Sequence, residues 1–509
     1  MPNQSGTLTS SQGSTFIGTT PNDTITFTPT GTYTVEYPLG TVAISASTST
    51  QSLPVSGGQV RVTCASGSVA WAVSDGNDGT PLSQTELLSV RSLVSGARGP
   101  TIVLAGDSLS KNAYITTADT FVNRAPEGIF NWFDAYLGAG FNVLGVTAAA
   151  GTTAATCLTS QIPQVIALRP RYCWLITGIN DINVGLVSGA QAAANVIACV
   201  QALIAAGIVP IWTTVFAQTY DSVATRKIIA CNDILRRYAY ANDCGLFWDG
   251  FLSRVDPTSA TNNSRGAAYS YDSTPYLHPN NVGAQAAGAY AASVLSASIP
   301  RPNAVQAGNE TVAYTDGASN LLLNPGFTGT AGTVSANCTG TMPDSWVIDW
   351  QTRTGTASAA AAIVSLTDPA SGLVIAQGVQ VTISGNAASG DIIRITQTDV
   401  QNATLKNNIS TGNLVQCEGV FKVATGANIS TVALRLLTNG VESTAWGQAA
   451  QALGTFPATM ADAYMRSYPI AALGSGVASA ARLDFRVTFN GVGTGSVITF
   501  WRPRVRKVS

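Results

Sequence analysis

Apolar positions change their period twice along the chain. Up to about residue 80 they alternate with hydroxyl side chains in short runs at 24–28, 33–37, 42–45, 60–64 and 69–73. That two-residue period belongs to strands with one buried face. Pro54, Gly57-Gly58 and Gly67 separate the runs, so residues 1–80 are expected to form a small all-β domain. Residues 81–100 read as a linker with a short helix, because Ser83 and Glu86 stand at the N-cap and N3 positions of a capping box. From 101 to 298 the pattern becomes strand–helix alternation. Apolar runs at 101–105, 141–146, 172–177, 209–215 and 246–248 are separated or followed by helical stretches at 127–137, 154–168, 190–206, 223–241 and 282–295. Five strands alternating with helices predict a parallel sheet covered on both faces. A polar, proline-containing linker over 299–319 follows. From 320 to 509 short β runs return at 321–323, 379–383, 392–397, 415–423, 432–437, 483–489 and 497–501, predicting a β-sandwich of jelly-roll type.

Composition narrows the function classes. The 509 residues carry 26 Lys and Arg against 27 Asp and Glu, a formal net charge of −1. With charged residues at 10% and hydrophobic ones at 45%, the chain has material for large cores and no electrostatic footprint for nucleic acid or an anionic membrane. It holds no apolar run long enough to span a bilayer. The opening Met1-Pro2-Asn3-Gln4-Ser5 lacks the basic and apolar regions of a secretory signal peptide. Eight cysteines form no C-x-x-C pair, and His278 is the only histidine. Zinc is therefore not expected, nor any other metal or cofactor, and the cysteines read as buried free thiols of a protein made in a reducing cytosol.

The chemistry concentrates after the strands of the central region. Gly106-Asp107-Ser108-Leu109-Ser110 follows the first of them, and ligands of open α/β sheets bind at the carboxyl ends of strands. Taken alone, the stretch is equally well a strand-to-helix turn capped by Asp107 or Ser108. Three further sites accompany it: Gly151 after the second strand, Gly178-Ile179-Asn180-Asp181 after the third, and Tyr276-Leu277-His278-Pro279-Asn280 before the last helix. Singly, each has a plain reading as a turn glycine, a helix N-cap or a satisfied histidine. Jointly they supply what acyl transfer needs. A serine hydroxyl requires an imidazole to take its proton. The developing oxyanion requires fixed donors, here the N–H groups of Ser108 and Gly151 and the amide of Asn180.

These four blocks, in this order, resemble the SGNH/GDSL hydrolases over roughly residues 100–298. The resemblance implies a three-layer α/β/α flavodoxin-like core that hydrolyses esters, including O-acetyl groups on carbohydrates. It implies Ser108 as nucleophile, His278 as general base, and Ser108, Gly151 and Asn180 as the oxyanion hole. One position departs from the family pattern: Pro275 stands where an aspartate three residues before the histidine is usual. Asp272 is the nearest upstream carboxylate and the favoured orienting acid; the other reading is a Ser–His dyad oriented by a backbone carbonyl. Both ends of the C-terminal region, 320–327 and 498–503, resemble carbohydrate-binding-module jelly rolls. There Trp346, Trp350, Trp446 and Trp501 either stack on sugars or, the favoured reading, mostly fill the core. The low charge and the Thr, Ser, Gly and Ala richness resemble bacteriophage tail-spike or tail-fibre proteins. The expectation is thus a serine esterase removing O-acetyl groups from an acetylated polysaccharide (bacterial capsule or O-antigen). It would act outside the cell, as a homotrimer or attached to a virion tail through its N-terminal domain, without nucleic-acid partners or membrane insertion. A plant-polysaccharide esterase of acetyl-xylan type and a degenerate receptor-binding adhesin are the alternatives.

Overall fold

The computed structural model describes residues 5–9, 11, 14–36, 42–74, 100–118, 121–138, 141–219, 222–259, 266–270, 276–299, 320–367, 374–398, 405, 409, 413–438, 441–445, 456–467, 470–471 and 481–507. The capping-box helix expected from Ser83 lies outside them. Two compact units divide the chain: residues 1–97 with Ala205–Gly207, and the remainder, in which the α/β region and the C-terminal β region fall together.

The first unit is an antiparallel sheet of six strands, β1 (Ser5–Thr9), β2 (Ser14–Pro29), β3 (Tyr33–Glu36), β4 (Val42–Ser47), β5 (Gln51–Cys64) and β6 (Ser68–Ser74), in the order β1-β6-β2-β5-β3-β4. Ile25, Phe27, Tyr33, Val35, Val62 and Val69 are fully buried, one face of the alternating pattern.

In the second unit, β7 (Thr101–Gly106) anchors a parallel sheet. A hairpin follows it, β8 (Tyr114–Ala118) and β9 (Phe121–Arg124), and then come β10 (Asn142–Val146), β11 (Tyr172–Ile176), β12 (Val209–Thr213) and β13 (Leu246–Trp248). The sheet order is β10-β7-β11-β12-β13, with every pair parallel. All of β11, and β7 beyond its first residue, are buried, which is why these strands read as continuous apolar runs rather than alternating ones. Helices Ile129–Leu137, Gly189–Ala205, Ser222–Ala241 and Asn281–Leu295 lie within two residues of their expected bounds. The expected helix 154–168 is interrupted by a π-turn at Cys157–Gln161.

The C-terminal region builds two sheets. One has eight strands: Thr333–Val334, Val347–Thr352, Ile392–Thr398, Ala481–Phe489, Ile429–Thr438 and Val441–Ala445 lie side by side, and β9 and β8 complete it. The hairpin that follows the Ser108 segment thus extends a sheet of the C-terminal region, with β9 parallel to Val441–Ala445. The other sheet orders Cys338–Gly340, Ser358–Thr367, Val374–Ser384, Val497–Lys507, Leu414–Thr425 and Met460–Arg466, with Ile470–Ala471 paired to Leu414–Thr425. Phe485 of the first sheet meets Phe500 of the second at 4.7 Å between ring centroids, and Phe421, paired with Phe500 on the adjacent strand, lies 4.9 Å from it. The sheets therefore face each other across an aromatic core. The run 321–323, expected as a strand, is an irregular segment instead. Gln397 brackets it, accepting from Leu323 N at 2.9 Å and donating to Leu323 O at 2.8 Å, while Leu321 and Leu322 are buried. Burial, not strand pairing, explains that apolar triplet.

Trp132 meets Phe456 at 5.6 Å, and the Gln285 amide donates to Thr459 O at 3.1 Å, so the sandwich is fastened to the α/β layer through side chains as well as through β9. All eight cysteines are free thiols, and all but the half-buried Cys338 are buried. Among the described residues no helix is long and apolar enough to cross a membrane.

Candidate active site

The site begins where β7 ends. Gly106 has φ +116°, and a Cβ there would stand 1.9 Å from Ile176 O, so both the backbone angle and the space require glycine. Asp107 N donates to Ile176 O at 3.0 Å. The Asp107 carboxylate accepts Leu109 N at 2.9 Å and caps the short helix Ser108–Lys111. The capping reading of this stretch is therefore correct for Asp107, and it is the cap that presents Ser108 at the start of the helix. Ser110 Oγ accepts Ile176 N at 3.3 Å, fastening that helix to β11.

Ser108 Oγ lies 2.8 Å from His278 Nε2. The histidine is held from the outside by Arg254, whose guanidinium is fully buried. It donates to Leu277 O at 2.5 Å, to Tyr276 O at 3.1 Å and to Ser270 Oγ. Ser270 Oγ in turn donates to Tyr276 O at 2.8 Å. Tyr276 adopts a left-handed φ of +55°, a costly conformation for a non-glycine residue that persists where surrounding contacts over-determine it. On the far side, Asn280 caps helix Asn281–Leu295 by accepting Gly283 N at 2.9 Å.

The second and third blocks meet at the same rim. Ala149 N donates to Gly106 O at 3.1 Å, leading the chain into the turn at Gly151, where φ is +75°. Asn180 Nδ2 donates to Thr152 O at 3.1 Å, tying the Asn180 amide to that turn. Gly178 is the N-cap of helix Ile179–Asn183, so Asn180 and Asp181 lie inside the helix rather than capping it. Asp181 is almost fully buried; its carboxylate accepts Ala154 N at 2.6 Å and Asn195 Nδ2 at 2.7 Å. It joins the start of the helix after Gly151 to the block that carries Asn180.

The structure thus brings Ser108 and His278 into contact and places Asn180 beside Gly151. Asp272 lies outside the described residues, as does Pro275. Burial pushes the Asp107 carboxyl up to about 7, against the Leu109 N–H and the charge of His278, which favour its ionised form, and with the Asp181 charge, which opposes it. Its Oδ2 is buried without a hydrogen-bond partner among the described residues. Among those residues no group of three or more His, Cys, Asp or Glu side chains could hold a metal ion. Sequence reasoning missed the contacts of Ser110 and Arg254. Arg254 carried no local signal, since a lone arginine near a helix end is ordinarily solvated.

A serine hydroxyl against an imidazole, beside a rim of backbone and amide donors, can attack a carbonyl and stabilise the tetrahedral oxyanion. Residues 104–286 match the GDSL-like lipase/acylhydrolase family. Among solved structures the chain is similar to a GDSL-like lipase from Bacteroides thetaiotaomicron (17% identity, 42% of this chain and 98% of that one, TM-score 0.31). It is also similar to a psychrotrophic esterase from Pseudoalteromonas (13%, 39% and 97%, TM-score 0.29). A third is a carbohydrate esterase family 3 protein from Talaromyces cellulolyticus (15%, 38% and 96%, TM-score 0.30). No curated protein matches the chain. The family match thus falls on the central region of this chain, over the residues that carry Ser108, Gly151, Asn180 and His278.

Proposed function

We propose that the protein is a serine esterase in which Ser108 is the nucleophile and His278 the general base. The 2.8 Å contact between Ser108 Oγ and His278 Nε2 carries this reading. As Oγ attacks the ester carbonyl, Nε2 takes its proton; the imidazolium then protonates the leaving alkoxide, and water repeats the sequence on the acyl-enzyme. The N–H groups of Ser108 and Gly151 and the Asn180 amide receive the oxyanion. One Asn180 N–H is spent on Thr152 O, which fixes the amide plane and leaves the second for the substrate. Asp272 is the favoured partner of the imidazole, with a backbone carbonyl as the other reading. Near-normal kcat in Asp272→Ala removes the aspartate.

The substrate we propose is an O-acetylated polysaccharide of the bacterial capsule or O-antigen kind, with the protein working in a phage tail spike or fibre. Low charge, hydroxyl-rich flanking β regions and a sandwich fastened to the catalytic layer support this over a free lipase. Sugar stacking by the C-terminal tryptophans does not support it. Trp346 and Trp501 are buried, the partly buried Trp350 packs against the core with its ring 6.3 Å from Phe489, and Trp446 lies outside the described residues. Acetate release from a panel of acetylated capsule, O-antigen and xylan, with wild type beside Ser108→Ala, tests both levels. Release from capsule or O-antigen that is abolished in Ser108→Ala is the expected result. Activity confined to long-chain acyl esters overturns the substrate, and an active Ser108→Ala overturns the mechanism.

A further inference from the structure

We propose that Gln161 is a positioning residue for the nucleophile, acting as a one-residue substitute for a missing strand beside Gly106; this rests on Ser108 being the nucleophile. On its β11 side, β7 stays paired through Ile176 and Gly106. On its β10 side the ladder stops at Val146 and Leu104. Without Gln161 the N–H of Gly106 on that edge would be left unpartnered in a buried place, which is costly, and its C=O would keep Ala149 N alone. The Gln161 amide serves both groups. Its Oε1 accepts Gly106 N at 2.7 Å and its Nε2 donates to Gly106 O at 2.9 Å. Only this orientation of the amide satisfies both groups, since an N–H only donates and a carbonyl only accepts.

The backbone around Gln161 is built for this reach. Cys157–Gln161 is a π-turn between two α-helical segments, and such single wide turns concentrate at functional sites. Ala154, Cys157, Gln161, Ile162 and Val165 make the buried face. The extra residue of the wide turn lets polar Gln161 share that face with its apolar neighbours. The Cys157 thiol adds a contact of 3.4 Å to Oε1. Gln161 itself is 3% exposed.

Gly106 lies two residues before Ser108, and its carbonyl also receives Ala149 N, which leads into the Gly151 turn. A single side chain therefore sets the strand end from which the nucleophile departs and shares its acceptor with the loop that offers an oxyanion donor. Small misplacement of either costs rate rather than binding.

The test compares wild type, Gln161→Leu and Gln161→Glu in kcat, KM and the rate of Ser108 labelling by a fluorophosphonate. For Gln161→Leu, kcat and the labelling rate are expected to fall together by ~10–100-fold, with KM within about twofold of wild type. In Gln161→Glu the protonated carboxyl can still offer one donor and one acceptor, whereas the carboxylate offers acceptors only. Its kcat per folded molecule, relative to wild type at the same pH, should therefore rise as pH falls; counting folded molecules by near-ultraviolet circular dichroism removes the pH-dependent stability loss that a buried carboxylate also brings. Wild-type kcat and labelling in folded Gln161→Leu overturn the proposal. So does a pH-independent ratio for Gln161→Glu, which decides the matter should the leucine variant fail to fold. Absence of labelling in the wild type overturns the nucleophile and the proposal together; an unchanged variant beside a labelled wild type overturns the proposal alone.

Discussion

Two carboxyls of the α/β layer, Asp107 and Glu127, and two of the sandwich, Glu418 and Asp484, are buried in opposite ways. In the sandwich, Glu418 is 1% exposed and stands between Arg466 and Arg506 at 3.0 and 2.7 Å, with Tyr464 Oη on its other oxygen. Burial pushes its carboxyl up, but the charges of Arg466, Arg506 and Arg504 and the Tyr464 hydroxyl override that and hold it near 2. Asp484 likewise accepts from Arg435 at 2.5 Å, Arg482 at 3.1 Å and Thr396 Oγ1 at 2.6 Å. Beside the nucleophile, Asp107 has one backbone N–H and an unpartnered oxygen, and burial pushes it up to about 7. Glu127, in the turn before helix Ile129–Leu137, is also pushed to about 7 by burial, with its Oε2 unpartnered among the described residues. Charges that hold sheets together are neutralised in place. A carboxyl next to working groups is left with its ionisation cost largely uncompensated, which is where perturbed protonation equilibria gather.

The sharpest way to break this contrast is to remove one group from each region. His278→Ala is expected to lower kcat on a soluble acetyl ester by ~10⁴-fold or more, with a melting temperature near that of wild type. Glu418→Ala is expected to do the reverse. It leaves two buried guanidinium groups without their carboxylate and destabilises the protein by about 3–5 kcal/mol, while kcat per folded molecule stays at the wild-type value. Chemical denaturation and active-site titration read both. A Glu418→Ala enzyme that is fully stable but inactive would mean that the sandwich charges belong to the catalytic machinery.

A weaker effect sharpens the comparison through pH. Asp107 and Glu127 have folded-state values raised to about 7, so their contribution is fully present below the ordinary carboxylate range near 4. It is lost as pH rises through about 7. Glu418, held near 2, contributes above its ordinary value and loses that contribution only as pH falls toward 2. Unfolding free energy measured at pH 5 and pH 8 should therefore decline toward pH 8, by a few kcal/mol at most. The decline should flatten in Asp107→Asn with Glu127→Gln, because the amide at 107 keeps the cap on Leu109 N. An equal decline in the double variant would place the titrating groups elsewhere.

Much of this was legible because the informative residues bury both faces of a strand or close one. The runs at 101–105 and 172–177 mark β7 and β11, and the short helices after them carry Ser108 and Asn180. The hairpin β8–β9 was not legible: Tyr114–Ala118 and Phe121–Arg124 are short, and β9 pairs with Val441–Ala445, more than 300 residues on. Ser358–Thr367 also escaped, because four consecutive alanines carry little strand preference. Gln161 was hidden for another reason. Its role depends on a wide helical turn and on backbone groups of Gly106, and neither leaves a pattern of residue types.

The smallest expected effect separates two glycines that look alike in the sequence. Gly106 has both a left-handed φ and a backbone oxygen 1.9 Å from its would-be Cβ, so alanine there displaces β11 as well as straining the chain. Gly151 has φ +75° but no heavy atom of the described residues within 4 Å of that position. Conformation alone requires glycine there, and Gly151→Ala should cost about 1–2 kcal/mol of stability. Its N–H would still point the same way, so kcat should fall by less than about tenfold, well short of the ~10²–10³-fold loss that follows removal of an oxyanion donor. A loss of that larger size at unchanged KM and full folding would show that the empty space over Gly151 is occupied in the transition state. The turn would then stand with Ser108 among the groups that substrate approaches closely.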